Sequence, residues 1–158
     1  MSETEIRTQI DIAAPPAVVW AVLTGFAGYH GWNPMVTAAE GSAAEGSIAT
    51  LHYRSSIGLP LRFRVRITRF EAERELRWIG RRLGISGEHY FQLMADGSGT
   101  RFVHGEVFRG PLAAVLGFVF RGQVPVFEAF NRALKDVAEH RVRTTGVAPT
   151  DDREPGPR

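Results

Sequence analysis

The stretch GEHYFQLMADGSGTRFVHGEVFRG, Gly87 to Gly110, holds two alternating runs around a glycine-rich break. A period of two marks a strand that buries one face, and Asp-Gly between two such runs marks a hairpin. With an even number of residues in the DGSG loop, Ala95 pairs with Thr100. Leu93 then faces Phe102, Phe91 faces His104 and His89 faces Glu106. These side chains and Phe108 share one face, expected to be the concave, inner one. The other face takes Tyr90, Gln92, Val103, Gly105 and Val107. A slip of one residue would turn the whole inner set outward. Carrying the same parity through the LGIS turn sets Trp78 opposite Phe91 and Gly80 opposite His89.

Outward from this hairpin the chain reads as a meander. Strand-like runs at 35–40, 46–56, 61–70, 75–82, 87–95 and 100–109 are separated by GSAAEG, IGLP, EAER, LGIS and DGSG. No helical pattern separates them, so the strands are expected to be antiparallel and hairpin-linked. Phe63, Val65 and Ile67 alternate with Arg62, Arg64 and Arg66, which gives a sheet with one wet face. Ahead of the meander, Ile6, Thr8, Ile10 and Ile12 alternate with polar residues as a first strand. Pro15-Pro16 ends it and suits the first turn of a short helix over 17–24, with Val19, Trp20 and Leu23 inward. FAGYHGWNP, 26–34, reads as a glycine-broken turn or second short helix, with Trp32 packed beneath it. After Gly110-Pro111 the period becomes helical. Phe127, Phe130, Leu134, Val137 and Arg141 form an amphipathic stripe, and Gly122 and Pro125 split the region into two pieces or kink it. The fold class is therefore α+β. A curved seven-stranded antiparallel sheet wraps a long C-terminal helix, with two short helices after strand 1. One domain spans residues 1–143, and 144–158 is expected to be a disordered tail.

Composition narrows the function. The chain of 158 residues has no cysteine, which excludes disulfides, thiolate metal sites and a cysteine nucleophile. Of its 19 basic residues all but Lys135 are arginine, yet the net charge is only +2 and most arginines have glutamates near them in sequence. No nucleic-acid partner is expected. The polar start MSETEIRTQID and the lack of a long apolar run predict a cytoplasmic protein without a membrane span. Serine nucleophile elbows, phosphate-binding glycine loops and dinucleotide fingerprints are absent.

IDIAAPPAVVWAVLTGFAGYHGWNP, ELRWIG and GEHYFQLMADGSGTRFVHGEVFRGPL together resemble the SRPBCC (START-like, Bet v 1-like) superfamily. Within it the sequence is most similar to the polyketide cyclase/dehydrase branch. The resemblance covers residues 4 to 143. It implies a helix-grip architecture, in which the sheet grips the long helix around an internal cavity for apolar ligands. No catalytic motif of the cyclases can be placed residue by residue on this sequence, so no catalytic residue is assigned.

The inner face supplies the site candidates: Trp78, His89, Phe91, Leu93, Phe102, His104, Glu106 and Phe108 from the sheet, with Phe127 and Phe130 from the helix. A mostly apolar pocket with a few converging polar groups is the usual form of a small-molecule site. His89 and Glu106 admit three readings. They pair structurally, since a histidine partner offsets the cost of burying a carboxylate. They anchor a polar atom of an apolar ligand. Or they perform acid–base chemistry on a carbonyl compound. Two histidines and a carboxylate match a facial triad in composition only, so no metal and no cofactor is expected. His30, His52 and His140 read as surface residues. The Phe118–Phe120 segment reads as a lid or as core. The function that fits best is binding or carriage of an apolar or amphipathic small molecule, such as a lipid or polyketide-like compound, by a monomer or homodimer. A cofactor-free cyclase or dehydratase and a co-chaperone-like interaction module are the alternatives.

Truncation after Arg143 is expected to leave the melting temperature essentially unchanged, because residues 144–158 hold no periodic apolar pattern. A large drop in a thermal melt would show that the tail packs on the body.

Overall fold

In the computed structural model, residues 3–54 and 58–146 are described. The element order is β1 (Glu3–Ile12), α1 (Pro16–Thr24), a 3₁₀ turn (Phe26–Gly31), β2 (Val36–Glu40), β3 (Ile48–Arg54), β4 (Pro60–Glu71), β5 (Glu75–Arg82), β6 (Ile85–Asp96), β7 (Gly99–Arg109), α2 (Gly117–Arg121) and α3 (Val124–Thr145). The strands form one antiparallel sheet of order β1-β7-β6-β5-β4-β3-β2. β1 thus lies beside the last strand, and the meander runs from there to the far edge. Bulges at Val36/Ala38 and Ile67/Arg69 bend the sheet around the helix. This is the helix-grip, α+β arrangement the sequence implies. The C-terminal region is two helices rather than one kinked one, and α3 runs two residues past Arg143. The tail from residue 147 onward lies outside the described residues.

The β6–β7 register is the one read from the sequence, with Ala95 opposite Thr100, Phe91 opposite His104 and His89 opposite Glu106. The β5–β6 register differs from the expectation by two residues. Trp78 pairs with His89, not Phe91, and Gly80 pairs with Gly87, not His89. The cause is a shorter turn. Arg82 and Ile85 are partners, so only Leu83 and Gly84 turn the chain, with φ of 50° and 77°. Two successive positive φ values match the twist of a tight hairpin, and here a leucine adopts one of them. An even shift leaves every side chain on its predicted face.

Beneath the concave face lies the main core. Leu51, Ile67, Leu76, Trp78, Phe91 and Phe102 from the sheet are buried with Val19, Val22 and Leu23 of α1 and Phe130 and Leu134 of α3. Trp32 packs edge-on between Tyr29 and Phe130, with ring centroids 5.3 and 5.4 Å away. α3 rests against β1, α1 and β7. It therefore covers one side of the concave face and leaves the β3–β6 side open.

The convex face is wet along β4, where Arg62, Arg64 and Arg66 are exposed, but dry over β6 and β7. There Tyr90, Val103 and Val107 form a second, small buried cluster. Tyr90 lies over Gly105, its cross-strand partner. A Cβ at Gly105 would sit 2.3 Å from the tyrosine ring and 2.6 Å from the Ile6 carbonyl oxygen. The tyrosine hydroxyl donates to Glu5 Oε1 at 2.5 Å, and the Arg77 guanidinium lies 5.4 Å from the ring centre. One side chain on the outside thus ties β1 and β5 to the central hairpin. Because both close contacts at Gly105 oppose a methyl group, Gly105→Ala is expected to destabilise the fold by about 2 kcal/mol or more in urea unfolding. A variant as stable as the parent would show that the Tyr90 clasp is not tight.

Candidate functional site

Register places one polar row across the inner face. Reading across the paired strands, Ile67 stands beside Trp78, Trp78 beside His89, His89 beside Glu106, and Glu106 beside Ile6. His89 is buried, and its Nδ1 lies 3.3 Å from Glu106 Oε1. Glu106 reaches this position because residue 87 is glycine; a Cβ there would lie 2.3 Å from Oε1. With Nδ1 turned to the carboxylate, His89 Nε2 is left buried and, among the described residues, without a partner. The Trp78 indole N–H is in the same state: it neighbours the Tyr53 hydroxyl without closing a hydrogen bond. Burial, with the Glu106 charge adding to it, pushes the Tyr53 hydroxyl well above its usual range, so it remains a donor.

These groups border a cavity of about 590 Å³ between the open side of the sheet and the start of α3. Phe63, Val65, Trp78, Phe108, Phe120 and Phe127 supply its apolar walls. Glu106, His89 and Gln123 add polar groups, and the exposed Arg54, Arg81, Arg82 and Leu83 stand at the mouth. The Phe108 and Phe120 rings stack at 3.8 Å, which holds α2 over the end of β7.

Of the residues singled out from the sequence, Trp78, His89, Glu106, Phe108 and Phe127 come together on this wall. Phe91, Leu93, Phe102, His104 and Phe130 do not line it; they pack in the closed half under α3. His104 is the instructive one. Thr8 donates its only hydroxyl hydrogen to the His104 carbonyl (2.9 Å), so its oxygen accepts from Asn131 Nδ2 (2.8 Å). Asn131 Oδ1 therefore faces His104 Nδ1 at 2.9 Å, and that nitrogen carries the proton. Phe127 stacks on the ring at 4.3 Å. Burial, and secondarily the neighbouring His89, hold the His104 pKa well below the ordinary histidine value, against the opposing Asn131 bond. The ring is neutral and does not line the cavity, and its Nε2 is buried without a partner among the described residues. Among the described residues no three His, Asp or Glu side chains are grouped to hold a metal ion.

Sequence reasoning missed Tyr53, Gly87, Asn131 and the mouth arginines. Asn131 interrupts the apolar stripe between Phe127 and Leu134, and that interruption is its signal. Tyr53 follows from alternation once His52 is placed outside.

A family model described as polyketide cyclase / dehydrase and lipid transport matches residues 3–139. No curated protein matches the chain in sequence. Among solved structures, the Zhui aromatase/cyclase from Streptomyces sp. R1128 superposes with a TM-score of 0.76 at 18% identity, covering 93% of this chain and 100% of that one. TTHA0849 from Thermus thermophilus gives 0.69 at 18%, covering 87% and 98%. Ara h 8.0201 gives 0.60 at 13%, covering 84% and 98%. At these identities the likeness is one of fold.

His104 makes stability depend on pH. Its folded pKa lies below its unfolded one, so the unfolded chain binds the proton more readily and stability falls as pH drops below the unfolded value of about 6.5. Replacing His104 with the non-titrating Gln is expected to reduce the pH slope of unfolding free energy in this range, by up to about 1.4 kcal/mol per pH unit. An unchanged slope in urea titrations at stepped pH would show that His104 is not the group responsible.

Proposed function

We propose that this chain, which belongs to the polyketide cyclase / dehydrase and lipid transport family, binds a small apolar or amphipathic molecule in the cavity beside α3. The observation that carries the reading is the cavity itself. Its volume of about 590 Å³ is that of a ligand pocket, its walls are aromatic and aliphatic, and two of its lining residues, Trp78 and His89, hold buried polar atoms without a partner among the described residues. Apolar burial supplies the affinity. Trp78 Nε1–H and Tyr53 O–H donate to a ligand oxygen, and His89 Nε2 accepts from a ligand hydroxyl. Each of these atoms is buried without a partner or held protonated, so a ligand that pairs with them relieves a desolvation penalty. An interaction module with a vestigial cavity receives no support from an interior this open.

The His89–Glu106 pair favours one further reading. An imidazole with Nδ1 held by a carboxylate and Nε2 unpartnered, on a residue that lines a pocket, has the arrangement of a general base. A cyclisation or dehydration would use Nε2 to take a proton from a carbon or hydroxyl next to a carbonyl. Glu106 would orient the ring and stabilise its charged form. The Zhui protein that shares this fold is an aromatase/cyclase, which is consistent with that chemistry. Carriage is the primary assignment, since among the described residues no second catalytic group is assigned opposite His89.

Gly80 lies on the wall, and a Cβ there would meet only the Val65 side chain at 3.4 Å and the Arg64 carbonyl oxygen at 4.0 Å. Gly80→Leu is therefore expected to fill the cavity, keep the fold and weaken binding of the amphipathic fluorophore anilinonaphthalene sulfonate by about tenfold or more. Unchanged binding would place the fluorophore elsewhere and remove the reading. Glu106→Gln separates the two roles. A carrier retains apolar ligands and changes affinity only for hydroxylated ones, whereas an enzyme loses turnover with binding intact.

A further inference from the structure

The large apolar side chains left in solvent are not scattered. Among the described residues, all but Ile48 and Met94 fall in three stretches: Leu59 before β4, Leu83 at the tip of the β5–β6 turn, and the segment from Leu112 to Val126. Leu83, Val115 and Phe118 are 85%, 74% and 77% exposed, more than a lone surface residue needs. The topology puts these stretches at one end. The end of β3, the starts of β4 and β6, and the ends of β5 and β7 all lie there, whereas Ile48 starts β3 and Met94 lies near the end of β6, at the opposite end. Contacts join the pieces. The Arg82 guanidinium lies over the Phe63 ring, the Leu83–Gly84 turn abuts Gly110, and Leu83, Phe120 and Val126 border the same cavity. On α2, Gly117 and Phe120 face the body against Thr4 and Phe108, so Phe118 and Val119 face out.

The same end is basic. Arg54, Arg81 and Arg82 rim the opening and Arg121 closes α2. Among the described residues none of the four makes an ion pair. Nearby, Arg109 is neutralised by Glu3 and Glu88. The cavity lining holds one carboxylate, Glu106, against three arginines.

We propose that this end of the molecule docks on the surface of an anionic lipid bilayer, with Leu83, Val115 and Phe118 entering the interface and the four arginines meeting lipid phosphates. Exposed apolar tips flanked by unpaired cations are what interfacial binding requires: apolar burial in the headgroup boundary plus attraction to anionic lipid. A second copy of the chain fits less well, because a two-fold contact here would oppose like charges. Docked this way, the cavity mouth opens onto the membrane, and a ligand would pass between them without crossing water. The inference goes beyond the ligand reading and does not rest on it.

The test is co-sedimentation of the full chain with vesicles of phosphatidylcholine alone and of phosphatidylcholine with phosphatidylglycerol, three to one. Binding is expected to the mixed vesicles, to weaken as salt is raised, and to be at background on the neutral ones. Val115→Ser with Phe118→Ser is expected to lower partitioning about tenfold or more, and each of Arg81→Gln and Arg82→Gln about fivefold. The serine variant should bind anilinonaphthalene sulfonate in solution as the parent does, since neither residue lines the cavity. No partitioning to anionic vesicles by a protein that still binds the fluorophore would overturn the proposal. So would full partitioning by the serine variant, or a concentration-dependent dimer that the serine variant abolishes.

Discussion

A single helix of 22 residues cannot cover the concave face of a seven-stranded sheet, and most of this structure follows from that shortfall. α3 rests on β1 and β7, with α1 closing the side, so the aromatics beneath it pack solidly. Toward β3 and β5 the sheet curves away and nothing replaces the helix. Side chains there are not small enough to leave a channel nor large enough to fill the space, and a cavity remains. Its existence is a consequence of geometry. Its chemistry is a consequence of which residues the register brings to that half.

The two histidines show how position decides role. They stand on adjacent strands, on one face, with ring centres 5.6 Å apart. His104 falls under α3, where Asn131, itself held by Thr8, fixes Nδ1 and burial keeps the ring neutral, while Nε2 is buried without a partner among the described residues. Its Nδ1 bond fixes the ring against Phe127 and Phe130. His89 falls at the edge of the covered half. One nitrogen is held by Glu106 and the other is buried without a partner among the described residues, on a side chain that lines the cavity. Orphaned buried donors and acceptors are uncommon in folded proteins; Asn33 and His104 each hold one away from the cavity, and those of Trp78 and His89 belong to residues that line it, where a ligand is placed to complete them.

The sequence made the sheet, its order and its inner face legible, because period-two alternation and the DGSG hairpin are local signals. The β5–β6 register was not. The turn there needs a leucine at positive φ, and side-chain type gives no warning of it. Nor could the sequence tell which inner-face residues border space. Phe91, Leu93, Phe102, His104 and Phe130 have the same alternation as Trp78, His89 and Phe108, and only the landing position of α3 separates them. The dry patch on the convex face depends on Tyr90 meeting Gly105 across two strands. That pairing is visible once the register is known, yet it was masked by the expectation of a wholly wet outer face.

The central claim, that a ligand completes the polar row on the cavity floor, is tested most directly by the indole N–H spectrum of the isotopically labelled protein during titration with anilinonaphthalene sulfonate. Three tryptophans provide the comparison. Trp20 packs against Phe70 away from the cavity, Trp32 lies between Tyr29 and Phe130, and Trp78 holds its free N–H on the cavity wall. The Trp78 resonance is expected to move to saturation with the fluorescence change while that of Trp20 stays in place. A saturating fluorescence change with Trp78 unmoved would contradict the account.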